Sequence, residues 1–379
     1  MLNDIILLFL NNLNKVGNGC CISSPSIENP NYYYHWTKDA ALSMLAIDKL
    51  YINNKIDDIA YFTRFMEYVK FESGILDLGL CRGEVKYNVN GTKTNNKYPL
   101  NDGPALRVLA LDNFFLYNFK KENTDMIDLL YDKMNKNKSI IKSDLEYICK
   151  NAFNKSYDFW EDINDHHLTT KLFERNALEV GINIATLMKD DNAVNKYQEY
   201  YNYVNEYILY FNNFYVIPHL NPLVNNYKDN LDSSILIALD VCNINIDMCL
   251  VSYVSEIVKY YRDNIKINKD SKLYLIGRYP NDKYFGNNVW LLCTIYLVIF
   301  YKRLKDEIHI NMILSLYEDY DDMKSLVNDY IKFLYDIGVN SNWSEQLDSN
   351  KLISVSAEHL TLNYVAFINL LLNKNNNNK

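Results

Sequence analysis

The chain has four tryptophans, and each sits in a short polar or Gly/Pro-marked segment. Trp36 lies in Tyr32-Tyr33-Tyr34-His35-Trp36-Thr37-Lys38-Asp39 and Trp160 in Asp158-Phe159-Trp160-Glu161-Asp162. Trp290 closes the stretch that begins at Gly277, and Trp343 lies in Asn342-Trp343-Ser344-Glu345-Gln346. Two of these segments also carry a glutamate, Glu161 and Glu345. Aromatic faces pack on the C–H faces of sugar rings, and carboxyl groups move protons. Rings beside carboxyls, repeated far apart along the chain, fit glycoside chemistry.

Such groups need rigid elements to hold them. Apolar residues recur at three- and four-residue spacing over 56–71, 105–119, 168–188, 197–215, 246–261, 290–304, 308–337 and 355–372, which predicts helices. The start, Met1-Leu2-Asn3-Asp4 followed by an apolar stretch to Leu10, reads as a first helix. Strand alternation is nowhere sustained, and Asn90-Gly91 lies in a polar, loop-like stretch. The fold class is all-α, with about a dozen helices and the prolines Pro25, Pro30, Pro99, Pro104 and Pro280 in the loops between them.

Composition narrows the function. Hydrophobic content of 49% with 23% charged residues describes a globular protein. A net charge of −8 argues against a nucleic-acid or anionic membrane surface. No apolar run reaches the length of a membrane span, and the N-terminus lacks a basic region and a cleavage site, so a cytoplasmic location is favoured over a secreted or vacuolar one. The seven cysteines form no C-x-x-C pair and read as buried thiols, with a Cys242–Cys249 bridge open only for a secreted chain. His166-His167 lacks metal-ligand partners, so no metal is expected there. No calcium loop, nucleotide motif or flavin motif is present, and no obligatory cofactor is expected. Residues 373–379 are an Asn/Lys tail with nothing to bury.

The loop segments resemble glycoside hydrolase family fifteen, the fungal and yeast-type glucoamylases, in the same order along the chain. The resemblance rests on Ser24-Pro25-Ser26 with Tyr33-Tyr34-His35-Trp36-Thr37-Lys38-Asp39-Ala40, on Gly83-Glu84-Val85-Lys86-Tyr87-Asn88, and on Asn101-Asp102-Gly103-Pro104-Ala105-Leu106-Arg107. It continues through Tyr157-Asp158-Phe159-Trp160-Glu161-Asp162, Gly277-Arg278-Tyr279-Pro280-Asn281-Asp282, Trp290 to Thr294, and Ser344-Glu345-Gln346 with Leu360-Thr361. It implies an (α/α)6 toroid, a double ring of six inner and six outer helices. It also implies an exo-acting enzyme that releases β-D-glucose from the non-reducing ends of α-1,4-glucans with inversion. Residues 1–372 would form a single catalytic domain, without a starch-binding module and working as a monomer on an α-glucan or maltooligosaccharide.

Inversion needs one protonated carboxyl for the leaving oxygen and one ionised carboxylate to activate water, roughly 6.5–9.5 Å apart. The resemblance implies Glu161 as the acid and Glu345 as the base. Trp160 and Phe159 flank Glu161, and desolvation by them would raise its pKa. Ser344 and Gln346 could hydrogen-bond the Glu345 carboxylate and the attacking water. Asp39 and Arg278 would hold sugar hydroxyls, with Asp282 orienting Arg278 and Asp162 meeting the next sugar. Tyr32, Trp36, Trp160 and Trp290 would wall the pocket.

The chain departs from the family pattern in three places. Lys38 stands where the family has arginine, which keeps the charge and loses the planar fork. The loop from Asn88 to Asp102 is short and lacks a tryptophan, for which Tyr98 is the candidate replacement. Leu362 stands where another tryptophan is expected. These losses keep two other readings open: a non-catalytic glucan-binding toroid, and a related α-glycosidase such as a trehalase.

Overall fold

The computed structural model describes residues 1–79, 81–95, 98–135, 138–212, 231–269 and 271–373. Among these residues the chain is helical. In chain order the helices are α1 (Leu2–Leu10), α2 (Thr37–Ile52), α3 (Asp58–Asp77), α4 (Asp102–Lys120), α5 (Thr124–Leu130), α6 (Ile140–Asn151), α7 (Leu168–Leu187) and α8 (Asp191–Asn212). They continue as α9 (Ser234–Val241), α10 (Met248–Asn264), α11 (Lys266–Lys269), α12 (Leu291–Arg303), α13 (Glu307–Leu314), α14 (Met323–Asn340) and α15 (Thr361–Leu372).

Most expected helices match, and two change. The run 308–337 is two helices. Glu318, Asp319, Asp321 and Asp322 would crowd like charges within about a turn of one continuous helix. Asp322 instead caps α14 by accepting the Ser325 N–H at 2.8 Å. The run 355–372 becomes helical only at Thr361, because Val355 donates its N–H to the Gln346 carbonyl. The expected helix over 197–215 falls in α8, and its end past 212 lies outside the described residues. So does the tail beyond Asn373.

Short strand pairs interrupt the helices, each two residues long and too brief to show as alternation. They are β1 (His35–Trp36) with β2 (Lys86–Tyr87), β3 (Ser156–Tyr157) with β4 (Asn164–Asp165), and β5 (Val289–Trp290) with β6 (Gln346–Leu347). All three pairs are antiparallel. Asn90-Gly91 forms the turn beyond β2, with Gly91 at φ 84° and a bridge between Tyr87 and Lys93.

The chain divides into two compact units. One comprises residues 10–23 and 33–210. Its centre is α4, packed on α2, α6 and α7. Arg107 on α4 is fully buried and forks onto Asp144 through Nε and Nη2, both at 2.7 Å. Its Nη1 reaches Glu72 at 3.0 Å, and Arg82 also pairs with Asp144. Cys21 donates its N–H to His35 Nδ1, which leaves the opposite ring nitrogen to face Glu72 at 3.2 Å. Buried charges persist when each is paired. This network ties α3, α4 and α6 to the strand that leads into Trp36 and Lys38.

The second unit comprises residues 1–9, 24–32 and 211–379. Here α12 packs against α9, α14 and α15, and every residue from Leu291 to Tyr301 is buried. An all-round apolar helix belongs at such a centre. All seven cysteines are free thiols, Cys242 and Cys249 included; five are buried as expected, whereas Cys81 and Cys249 are exposed. No described helix is long and apolar enough to cross a membrane.

Candidate active site

In the first unit, Glu161 occupies the turn between β3 and β4. Asp158 builds that turn: its Oδ1 accepts the N–H groups of Asp162 at 2.7 Å and Ile163 at 3.1 Å. Glu161 itself adopts φ 67°, a left-handed conformation that a non-glycine residue holds only when its surroundings fix it. Its Oε1 accepts the Trp36 indole N–H at 2.8 Å and the Lys38 ammonium at 2.8 Å. Lys38 also donates to the Phe159 carbonyl at 2.8 Å. Trp160 packs edge-on against Phe159, and Lys86 lies 4.0 Å over the Trp36 ring.

These partners reverse one expectation. Burial does push the Glu161 carboxyl upward, but Lys38, the Trp36 indole and Lys86 together outweigh it and hold the group below the ordinary glutamate value. The flanking aromatic rings alone suggested the opposite. Lys38 is raised in turn: burial opposes its charge, and Glu161, Asp102 and Asp39 more than compensate. Asp39, on the first turn of α2, is buried and pushed up to about 6, chiefly by desolvation against the pull of Lys38. Asp162 is exposed.

In the second unit, Glu345 leads into β6 and is 4% exposed. Its Oε2 accepts the Ser356 hydroxyl. Burial drives its carboxyl up to about 7, opposed by hydrogen bonds from Ser356 and Tyr32 and by the charge of Arg278. Ser344 bonds instead to the Gln346 carbonyl and to Ser354, whereas Gln346, as expected, favours the Glu345 carboxylate through its side chain. Of the side chains that hold Glu345, Ser356 is the one that the sequence reading missed. It stands eleven positions on and gave no signal in the sequence beyond being a serine near the motif.

Arg278 is buried, and its fork closes on Asp282 through Nε at 2.8 Å and Nη2 at 2.7 Å. Its guanidinium lies 4.8 Å from the Trp290 ring centre and 5.2 Å from that of Tyr284. Tyr284 exchanges a 2.9 Å hydrogen bond with Tyr32. Gly277 permits the tight approach that starts this loop, since a Cβ there would fall 2.6 Å from the Asn288 carbonyl oxygen. Trp343 belongs to the core, at 1% exposure against Tyr364 and Phe367. Leu362 is buried as well. Tyr98 lies against Tyr157 in the first unit, ring centres 4.2 Å apart, and within electrostatic reach of Glu161.

The candidate residues thus form two clusters, one in each unit. Trp36, Lys38, Asp39, Trp160 and Glu161 make the first, and Tyr32, Arg278, Asp282, Trp290 and Glu345 the second. Each holds one glutamate, aromatic rings and fixed cationic groups, an arrangement able to bind a polyol and exchange protons with it.

Comparison with known proteins accounts for this composition. The chain is 28% identical to a glucoamylase of Saccharomycopsis fibuligera over 405 residues, covering 92% of this chain and 75% of that protein. It is 26% identical to a probable glucoamylase of Schizosaccharomyces pombe, covering 93% and 84%. The structure of a Saccharomycopsis fibuligera glucoamylase superposes with a TM-score of 0.79 at 20% identity, covering 98% of this chain and 94% of that one. A glucoamylase from Hypocrea jecorina superposes with a TM-score of 0.80 at 20% identity, covering 98% and 72%. The fold class is that of these enzymes, the (α/α)6 toroid. Residues 10–372 match the family model described as glycosyl hydrolases family 15, and the chain belongs to that family.

Proposed function

We propose that the chain is an exo-acting glucosidase that releases β-D-glucose from the non-reducing ends of α-1,4-glucans with inversion, residues 1–372 working as one catalytic domain. Family membership and glucoamylase relatives support the reaction class. The observation on this chain's own residues that carries the reading is Glu161, a carboxyl fixed in a left-handed turn by an indole and an ammonium.

In this reading Glu161 protonates the glycosidic oxygen as the bond breaks. Glu345 takes a proton from the attacking water, steadied by the Ser356 hydroxyl. Arg278, its fork set by Asp282, addresses neighbouring sugar hydroxyls together with Asp39. Trp36, Trp160, Trp290 and Tyr32 supply apolar walls, and Asp162 meets the following sugar.

The chemistry needs the proton on Glu161 and the charge on Glu345, whereas the free protein favours the opposite distribution. Turnover then draws on the minority protonation state, and kcat/KM forms a plateau between two limbs. That same distribution favours a second reading with the roles exchanged, Glu345 as acid and Glu161 as base.

Incubation with maltoheptaose, followed by NMR of the anomeric proton, tests the function. Early appearance of β-glucose is the expected result. Absence of glucose, or α-glucose first, contradicts it, and turnover of trehalose instead would move the substrate class.

A further inference from the structure

The end of α2 far from Lys38 and Asp39 borders a cavity that the roles above leave unused. It measures about 370 Å³ and lies between the last turns of α2, the start of α3 and the end of α4. Small-molecule sites begin at roughly 300 Å³. Asp48, which lines it, stands nine residues beyond Asp39 on α2, about 14 Å along the helix axis. One helix thus carries the first cluster at its start and this cavity at its end.

The lining is built from tyrosine rings and fixed polar groups. Asp48 is 3% exposed, and its carboxylate accepts the Tyr61 hydroxyl at 2.7 Å and the amide of exposed Asn113 at 3.1 Å. Half-buried Tyr51 stacks on Tyr61, ring centres 4.2 Å apart and planes within 20°. Tyr61 in turn meets Tyr117 edge-on at 5.5 Å. The hydroxyls of Tyr51 and Tyr117 both donate to Asp58, at 3.1 and 2.8 Å, and Lys121 joins them at 3.1 Å. Packing below and hydrogen bonds at the rim hold the rings in place before any ligand arrives, which lowers the cost of binding one.

The same groups narrow the ligand. Two carboxyls, Asp48 and Asp58, stand against two ammonium groups, Lys120 and Lys121. Burial lifts Asp48 to about 7, so the lining carries no more than one net charge in either form of that group. Such a balance suits a neutral ligand. Carboxyl, amide, hydroxyl and ammonium groups together can accept from and donate to neighbouring hydroxyls of a sugar, while the Tyr51 ring takes its C–H face. We propose that the cavity is a second α-glucan site, holding a stretch of glucan away from the bond being cleaved. The choice of glucan among sugars rests on the proposed function. A second point of attachment raises the effective concentration of chain ends at the first.

β-Cyclodextrin is the probe, a closed ring of α-1,4-linked glucose with no chain end for an exo-acting pocket to take. In titration calorimetry it should bind the wild type, bind Trp36→Ala equally well, and bind Tyr51→Ala about tenfold or more weakly. No binding to the wild type, or undiminished binding to Tyr51→Ala, overturns the proposal. Cellohexaose, with β-1,4 links, should bind at least about tenfold more weakly than β-cyclodextrin, and equal affinity overturns the α-glucan assignment. If Tyr51→Ala does not fold, amide NMR of the wild type decides: β-cyclodextrin should shift the signals of Ile52 and Asn113, and unmoved signals overturn the proposal. These readouts need no turnover, so they decide the matter even if maltoheptaose is not cleaved. Cleavage of maltoheptaose without binding of β-cyclodextrin would remove this site and leave the proposed function standing.

Discussion

The indole nitrogen of Trp36 and the ammonium of Lys38 donate to the same oxygen of Glu161, each at 2.8 Å. Trp36 precedes α2 and Lys38 lies in its first turn, so the start of one helix fixes the carboxyl. Both donors favour the ionised form. Trp36→Phe keeps an aromatic ring and removes the donor. A hydrogen bond to a charged group contributes about 1.5–3 kcal/mol, or one to two pKa units. The Glu161 midpoint, followed by NMR, should therefore rise by about one unit, and an unmoved midpoint would show that this bond does not hold the acid.

Arg278 and Asp282 form a buried fork. Asp282→Ala leaves a buried guanidinium without its partner, which costs about 3–5 kcal/mol. Thermal unfolding should register that loss together with a raised KM for maltoheptaose. Replacing both residues, as Arg278→Met with Asp282→Ala, should restore much of the stability without restoring KM. Parallel recovery of the two would separate Arg278 from sugar binding.

Glu345 is held protonated to about 7, well above its ordinary value, mainly by burial. Between those two values the folded state binds more protons than the unfolded one, so this group lowers stability as pH rises toward 7. The decrement levels off above 7 at roughly 3 kcal/mol. Glu345→Gln removes the decrement. Its melting temperature should match the wild type at pH 4 and exceed it at pH 8. Equal melting at both values would mean that the burial cost at Glu345 has been misjudged.

Ser356 favours the charged form of Glu345 through its hydroxyl. Ser356→Ala should move the Glu345 midpoint upward and, since the base must be ionised, reduce kcat/KM at pH 6 about tenfold relative to the wild type, with a smaller loss at pH 9. A loss of the same size at both would place Ser356 outside the base's electrostatics.

How much of this was legible in the sequence differs between elements. Amphipathic stretches such as α3, α7 and α10 are written in apolar spacing that any reader of period 3.6 recovers. The break between α13 and α14 is harder to see, because the acidic cluster from Glu318 to Asp322 interrupts the helix without changing the apolar period. The two-residue strands were beyond reach: two residues carry no alternation, and their partners lie 7 to 58 positions away. Tryptophan beside glutamate pointed to Glu161 and Glu345. The charge environment did not follow from neighbours in sequence, since Lys38 reaches Glu161 across 123 positions and reverses the shift that Trp160 and Phe159 suggested.

The division of labour between the two glutamates is the central claim, and α-D-glucosyl fluoride tests it most directly. Fluoride departs with little help from an acid, whereas the activation of water still needs a base. The account predicts that Glu161→Ala loses maltoheptaose cleavage by about 10²–10⁴-fold yet keeps most fluoride hydrolysis, while Glu345→Ala loses both. The inverse pattern, with Glu345→Ala keeping fluoride hydrolysis and Glu161→Ala losing it, would contradict the assignment and exchange the two roles.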